Sequence, residues 1–142
     1  MAYHLSVFVT NEPGKLEKIT RVLADRGLNI RAFSLSSAGE FGVLRLLVDD
    51  PEAGFAALKE NHFTVTKRRI LVALIDDKPG ALHGLLGTLS TARVNVEDCY
   101  GFVLEGGRKA AIVCEVEKFP EVEKALAGTG VHLIRDDEIY RL

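Results

Sequence analysis

The length, composition and charge of this chain favour a globular protein without affinity for nucleic acid or membranes. Its 142 residues suit one ordinary domain or two very small ones, and 47% hydrophobic with 27% charged residues is a typical globular balance. The net charge of −2 provides no attraction for nucleic acid or an anionic membrane. The longest aliphatic run, residues 70–75, is far shorter than the roughly 20 residues of a membrane-spanning helix.

The first half of the chain predicts the order strand, helix, strand, strand, helix, strand. Residues 3–10 alternate as a half-buried strand does, and Asn11 is of a type that caps helices. Asp50 precedes Pro51 as a capping acid before a proline at the first helical position. The apolar stripe of the first helix consists of Leu16, Ile19, Val22 and Leu23. The remaining elements are strands at 29–36, 42–49 and 62–66 and a helix at 51–58.

The second half repeats this order after residues 67–69, which we interpret as a short connection. Residues 70–75 predict a strand, Asp77 takes the position of Asn11, and Pro120 begins a second helix. The apolar side chains of the two helices are Leu82, Leu85, Leu86 and Leu89, then Val122, Ala125 and Leu126. The other elements are strands at 95–104, 108–115 and 132–135, a Gly106-Gly107 hairpin turn and a tail at 138–142.

The two halves are an internal repeat. A shift of 66 residues superimposes six identical positions: Leu5 on Leu71, Pro13 on Pro79, Gly14 on Gly80, Leu16 on Leu82, Leu23 on Leu89 and Asn29 on Asn95. Each half has the order of the ferredoxin-like βαββαβ unit, in which two helices cover one face of an antiparallel sheet. The sequence therefore predicts an α+β protein with two ferredoxin-like units, at residues 1–67 and 68–142.

The strand at 70–75 is apolar on both faces, although helices cover only one face of such a sheet. We therefore expect the open face of the second sheet to be buried against another chain or the first unit. A unit of about 70 residues is also marginally stable alone. We also expect the protein to be a homodimer.

Two proline-glycine corners are the candidate ligand sites, because each joins a strand to a helix N-terminus. A helix N-terminus offers unpaired N–H groups and a positive dipole end to an anion such as a carboxylate. Glycine lets a ligand approach the backbone closely, and proline fixes the chain direction. The corners consist of Asn11, Glu12, Pro13 and Gly14, and of Asp76, Asp77, Lys78, Pro79 and Gly80. Ordinary helix starts, with Asp77 acting only as a cap, are the alternative, but recurrence in both halves favours ligand binding.

The repeated segment (Asp/Asn)-x-Pro-Gly-x-Leu, followed by an Asn-(Ile/Val) strand start, resembles the tandem ACT domains of amino-acid-metabolic enzymes. The resemblance covers nearly the whole chain. It implies an amino acid bound at the junction of paired units, with the first loop of one unit facing the second strand of its neighbour. The strand residues implied are Asn29, Ile30, Arg31 and Ala32, and Asn95, Val96, Glu97 and Asp98.

The residue types of these segments suit a zwitterion. Backbone amides near Ala81 and Leu82 would bind the carboxylate, and Asp76, Asp77 or strand carbonyls would bind the ammonium group. The second corner has two adjacent acids where the first has Thr10 and Asn11, so we expect unequal sites with tighter binding at the second. Tyr100 and Phe102 are candidates for the side-chain pocket, with sheet packing as the alternative for them and for Phe33 and Phe41.

No sequence pattern points to catalysis, a cofactor or a metal. Phosphate-binding glycine patterns and the G-x-S-x-G nucleophile elbow do not occur, and the four histidines lie outside metal-binding motifs. Cys99 and Cys114 fall in predicted strands, which favours reduced thiols over a disulfide. The chain start resembles no secretory signal, so we expect a cytoplasmic protein.

The sequence thus favours a stand-alone amino-acid sensor that acts on a partner enzyme of amino-acid metabolism. Two alternatives stay open: an assembly module that binds no metabolite, and a small enzyme or metal protein on the same fold.

Overall fold

The predicted repeat folds as two βαββαβ units in the computed structural model, which describes residues 2–142. The first unit is Tyr3–Arg68 together with Arg141, and the second is Arg69–Tyr140 together with Ala2 and Leu142. Each unit has an antiparallel sheet with helices on one face, which confirms the predicted fold class. None of the helices within residues 2–142 has the length and hydropathy required to span a bilayer.

The first unit has the sheet order β2-β3-β1-β4. Its elements are β1 (Tyr3–Thr10), α1 (Lys15–Asp25), β2 (Ile30–Ala38), β3 (Phe41–Val48), α2 (Pro51–Glu60) and the first part of β4 (Thr64–Asp76). Alternate residues of β1, namely Leu5, Val7 and Val9, pack with Ile19 and Leu23 of α1 in the core. This packing follows from the period of two in the strand and the 3.6-residue period of the helix.

Helix α2 begins as predicted and lies close to the sheet. The Asp50 carboxylate accepts a hydrogen bond from the Ala53 N–H at 3.0 Å, and Pro51 follows the cap. Gly54 faces the core so closely that a Cβ there would lie 2.9 Å from Leu5 Cδ1. The absence of a side chain at Gly54 therefore allows α2 to cover β1.

The second unit has the order β5-β6-β4-β7. Its elements are the second part of β4, α3 (Ala81–Thr91), β5 (Val96–Val103), β6 (Lys109–Val116), α4 (Phe119–Leu126), β7 (His132–Leu133) and α5 (Asp136–Ile139). The core combines strand and helix residues, namely Leu71, Ala73, Leu85, Leu89, Ile112, Cys114, Val116, Phe119, Val122 and Leu126.

Residues 67–69 are part of strand β4, so the predicted connection between two strands is wrong. They were expected to separate the last strand of the first unit from the first strand of the second, but one strand continues through them. Lys67 keeps its charge paired within the first unit, because its Nζ donates to both Glu52 carboxylate oxygens at 2.7 and 2.9 Å. The same ammonium lies 5.2 Å from the centre of the Phe55 ring.

Three other predictions near the C-terminus are wrong. The last strand is only His132–Leu133, and the predicted tail contains the short helix α5, whose Ile139 side chain is buried. Ala125 is exposed although it was expected inward, while Val122 and Leu126 are buried as predicted. The buried face of α4 consists of Phe119, Val122 and Leu126, and Ala125 lies outside it.

Candidate functional site

Both proline-glycine corners end in a glycine with a left-handed backbone, Gly14 at φ 87° and Gly80 at φ 86°. Glycine is the one residue that adopts this conformation without strain. A Cβ built on either glycine would meet no atom within 4 Å. All corner residues, 11–14 and 76–80, are exposed. The protein's own side chains therefore leave the Cβ side of both corners open.

Asn11 and Asp77 do not cap the helices, so that prediction is wrong. The N-cap residues are Gly14 and Gly80, without side-chain capping bonds, because the proline and glycine delay the helix start. Asn11 instead donates from its N–H to the Glu40 carbonyl at 2.7 Å and from Nδ2 to the Gly39 carbonyl at 3.0 Å. Asn11 thus fixes the first corner against the β2–β3 turn.

The second corner is fixed in the same way by the β5–β6 turn. The Asp77 N–H donates to the Arg108 carbonyl at 2.9 Å. The first intrahelical bond runs from the Gly84 N–H to the Gly80 carbonyl at 2.9 Å, and the Ala81 N–H turns to the Lys78 carbonyl at 3.3 Å. This geometry leaves the Leu82 and His83 amides at the helix end as the donors best placed for an anion.

The two corners differ in charge. In the second, the Asp76 carboxylate contacts Lys109 Nζ and lies 3.7 Å from Lys78 Nζ. The hydrogen bond from Lys109, and then its charge, lower the pKa of Asp76 below 3.8. In the first corner, Glu12 lies 3.8 Å from Lys15 Nζ.

The predicted strand residues lie at a β-bulge in both units. The register of β2 against β3 shifts between Ile30 and Ala32, and that of β5 against β6 shifts between Val96 and Asp98. A bulge interrupts the ladder and redirects side chains, and bulges are common next to binding sites. The remaining strand residues are Asn29, Asn95 and Glu97, which are exposed, and Arg31, which is half-buried.

Each bulge lies at the opposite end of its unit from the corner of the same unit. Thr10, at the first corner, pairs with Phe41, and Phe41 pairs with Ala38 at the far end of β2. The first bulge follows Ile30, eight residues before Ala38, which at about 3.3 Å per residue is roughly 25 Å away. The second unit repeats this arrangement. One unit therefore does not bring its own corner and bulge together.

Comparison with known proteins identifies the family. The family model described as "ACT domain pair" matches residues 1–141. The chain belongs to the ACT domain pair family. The crystal structure of protein BT0572 from Bacteroides thetaiotaomicron is 33% identical with a TM-score of 0.91, over 99% of this chain and 96% of that one.

More distant solved structures share the fold. The ligand-free regulatory subunit of aspartate kinase from Thermus thermophilus has a TM-score of 0.65 at 14% identity, over 89% of this chain and 91% of that chain. The corresponding subunit from Thermus flavus has a TM-score of 0.58 at 14% identity, over 89% and 92%. No match was found among the curated proteins.

Several large apolar side chains of the ACT pair are exposed, among them Leu16, Leu82, Leu86 and Phe33, which the sequence patterns favoured for packing. Phe33 and Leu35 on β2 are 64% and 42% exposed, and Leu16 of α1 is 37% exposed. In the second unit the exposed apolar residues are Leu82, Leu86 and Val103. The sequence lacked a signal for this, because helical and strand periodicity does not reveal which strand is at the sheet edge.

The other candidate site residues differ in burial. Ile30 and Val96 contact the cores of their units, and Tyr100 and Phe102 are half-buried. Phe41 stacks on Phe8 with ring centres 5.2 Å apart. Within residues 2–142, no group of three or more histidine, cysteine, aspartate or glutamate side chains has metal-binding geometry.

Proposed function

We propose that this ACT pair is an amino-acid sensor whose ligand binds between paired units of two copies of the chain. The observation that carries the proposal is the separation of corner and bulge by roughly 25 Å within each unit. β2 runs parallel to β1, because both are antiparallel to β3. A second unit that pairs antiparallel with the edge strand would bring its bulge to this unit's corner.

The edge strands support such pairing. Within the described chain, β2 pairs only with β3, and β5 pairs only with β6. An open strand edge with exposed apolar side chains is a template for pairing with another chain. The exposed large apolar residues of β2 are Phe33 and Leu35, and Leu16 is exposed on α1. Full burial of such a side chain contributes about 1.5–3 kcal/mol, and the contribution to association scales with the fraction that is still exposed.

The chemistry of the corners suits the two charges of an amino acid. The carboxylate would accept hydrogen bonds from the Leu82 and His83 amides at the positive end of α3. The ammonium would bind Asp77, because Asp76 already contacts Lys109 and Lys78. At the first corner the corresponding position is Asn11, which carries no charge. We therefore propose that the second corner binds more tightly.

A regulatory role is supported by the family and by the aspartate kinase subunits that share the fold. The ACT domain pair is a regulatory domain. We propose that this chain is non-catalytic and cytoplasmic, and that a partner enzyme of amino-acid metabolism responds to its ligand state. Such a response requires the ligand to bind two arrangements of the protein with different affinity.

A thermal-unfolding screen of the purified chain against the common amino acids tests the proposal. A true ligand at 100 times its dissociation constant should stabilise the protein by about 2.7 kcal/mol. Calorimetry then compares the wild type with the double variant D76A/D77A, which should lose about tenfold or more in affinity because a charged hydrogen bond contributes about 1.5–3 kcal/mol.

The matched control is D136A/D137A, which removes an adjacent acidic pair from α5 and should bind as the wild type does. Failure of every amino acid to stabilise the chain would contradict the sensor and favour an assembly module. Unchanged affinity in D76A/D77A would contradict the assignment of the tighter site to the second corner.

A further inference from the structure

Two thiols lie side by side on neighbouring strands of the second unit. Cys99 on β5 pairs directly with Cys114 on β6 in the strand register. Their Sγ atoms are 3.7 Å apart, and both cysteines are free. We propose that Cys99 and Cys114 are a redox-active dithiol that a hydroperoxide oxidises to an intramolecular disulfide.

The backbone geometry already suits the bond. Directly opposed residues of antiparallel strands have Cα atoms about 4.5–5.5 Å apart, and a disulfide accepts roughly 4.4–6.8 Å. The sulfur atoms must approach from 3.7 Å to about 2.05 Å, which side-chain rotation provides. Oxidation therefore needs no strand displacement.

The two thiols differ in solvent exposure and in pKa. These differences suit Cys99 to attack the oxidant and Cys114 to act as the resolving thiol, which attacks the oxidised sulfur of Cys99. Cys99 is exposed on the edge strand β5, so an oxidant can reach it, whereas Cys114 is fully buried. The hydrogen bond from the Cys114 thiol lowers the pKa of Cys99, because it stabilises the thiolate. The same interaction and burial raise the pKa of Cys114. The thiolate is the species that attacks oxidants.

The fold does not require cysteines at these positions. The corresponding pair of the first unit, at the same distance from its bulge, is Phe33 opposite Leu46. The same architecture thus accepts two large apolar side chains there. The opposed thiols are a feature of the second unit alone, and this inference does not depend on the proposed amino-acid site.

The reaction balances in two steps. The Cys99 thiolate attacks the peroxide oxygen and forms a sulfenic acid, while the alkoxide or hydroxide leaving group takes a proton and departs as alcohol or water. The Cys114 sulfur then attacks the Cys99 sulfur, and its proton leaves with the hydroxyl as water. Two thiols and one hydroperoxide give one disulfide, one alcohol or water and one further water.

The test treats the reduced full-length chain with one equivalent of hydrogen peroxide. We expect both alkylatable thiols to disappear together, the intact mass to fall by two hydrogen atoms, and peptide mapping to link Cys99 to Cys114. Retention of both thiols, a Cys99 sulfinic acid beside an intact Cys114 thiol, or disulfides only between chains would overturn the proposal.

Variants separate the two roles. C114A should accumulate a Cys99 sulfenic acid that dimedone traps, and C99S should keep its buried Cys114 reduced. The variant C99F/C114L carries the residue pair of the first unit and should show no peroxide-dependent shift in its unfolding midpoint, whereas the wild-type midpoint should rise on oxidation. An equal shift in both proteins would also contradict the proposal.

Discussion

At the scale of single residues, backbone conformation and not lack of space limits which residues the glycine positions of the two corners accept. Gly80 has φ 86° and an open Cβ position, so Gly80→Ala should destabilise the protein by about 1 kcal/mol through left-handed strain alone. Gly14→Ala should have a similar effect. Urea unfolding measures the change.

A glycine in the following helix provides the matched control. Gly84 also has an open Cβ position, but it lies within α3. Gly84→Ala should therefore stabilise the protein by about 0.5–1 kcal/mol. If Gly80→Ala and Gly84→Ala changed stability in the same direction, the left-handed backbone conformation of Gly80 would be contradicted.

The ion pair of Asp76 predicts a pH dependence at the second corner. The pKa of Asp76 in the folded protein lies below the usual 3.8, so its ion pair with Lys109 stabilises the fold at pH values above 3.8. The stabilisation is lost as the pH falls through the lowered folded pKa. Lys109→Gln should move the pKa of Asp76 up toward 3.8, measured by NMR titration of its carboxyl group.

Lys124 of α4 provides the comparison, because Lys124→Gln removes the same charge from the exposed side of that helix. This variant should leave the pKa of Asp76 unchanged from the wild type. An unshifted titration in Lys109→Gln would show that the Lys109 contact does not persist in solution.

At the scale of elements, local patterns predicted most helices and strands correctly. The Asp50-Pro51 start of α2 is confirmed because capping depends on adjacent residues alone. The errors arose where a neighbouring element decides the outcome. Asn11 bonds to the β2–β3 turn rather than to its helix, and Lys67 continues β4 because Glu52 pairs with its charge.

The candidate site was predictable in its parts but not in its arrangement. Recurrence of the Pro-Gly segment pointed to both corners, and the Asn-(Ile/Val) step pointed to the strand starts that contain the bulges. The sequence did not indicate the distance between them, because strand register links residues far apart in the chain. It also did not reveal the exposed Phe33 and Leu35 at the sheet edge.

At the scale of the whole molecule, the repeat conserves backbone geometry while the charges diverge. Both corners have nearly identical glycine angles, and both second strands have a bulge after their first residue. The residue within the bulge is Arg31 in the first unit and Glu97 in the second. The two units therefore share one backbone framework but carry different charges at their candidate ligand sites.

Pairing of units should couple ligand affinity to assembly. If corner and bulge come from different copies, ligand must tighten the dimer by the same factor by which dimerisation tightens ligand binding. Phe33→Lys places a charge on the β2 edge and should weaken the dimer at least about tenfold, because losing a buried phenyl ring costs about 1.5–3 kcal/mol and about 1.4 kcal/mol is tenfold. Sedimentation equilibrium with and without the amino acid found in the screen measures this.

The control for Phe33→Lys is Ala56→Lys, which adds the same charge to an exposed position of α2 away from the β2 edge. In the edge variant, ligand affinity should fall together with dimer affinity at every site that includes β2, whereas Ala56→Lys should change neither. A monomeric Phe33→Lys protein that bound the amino acid as tightly as the wild type would show that one unit forms a complete site. The separation of corner and bulge by roughly 25 Å would then have no role in recognition, because a single copy of the chain would bind the ligand alone.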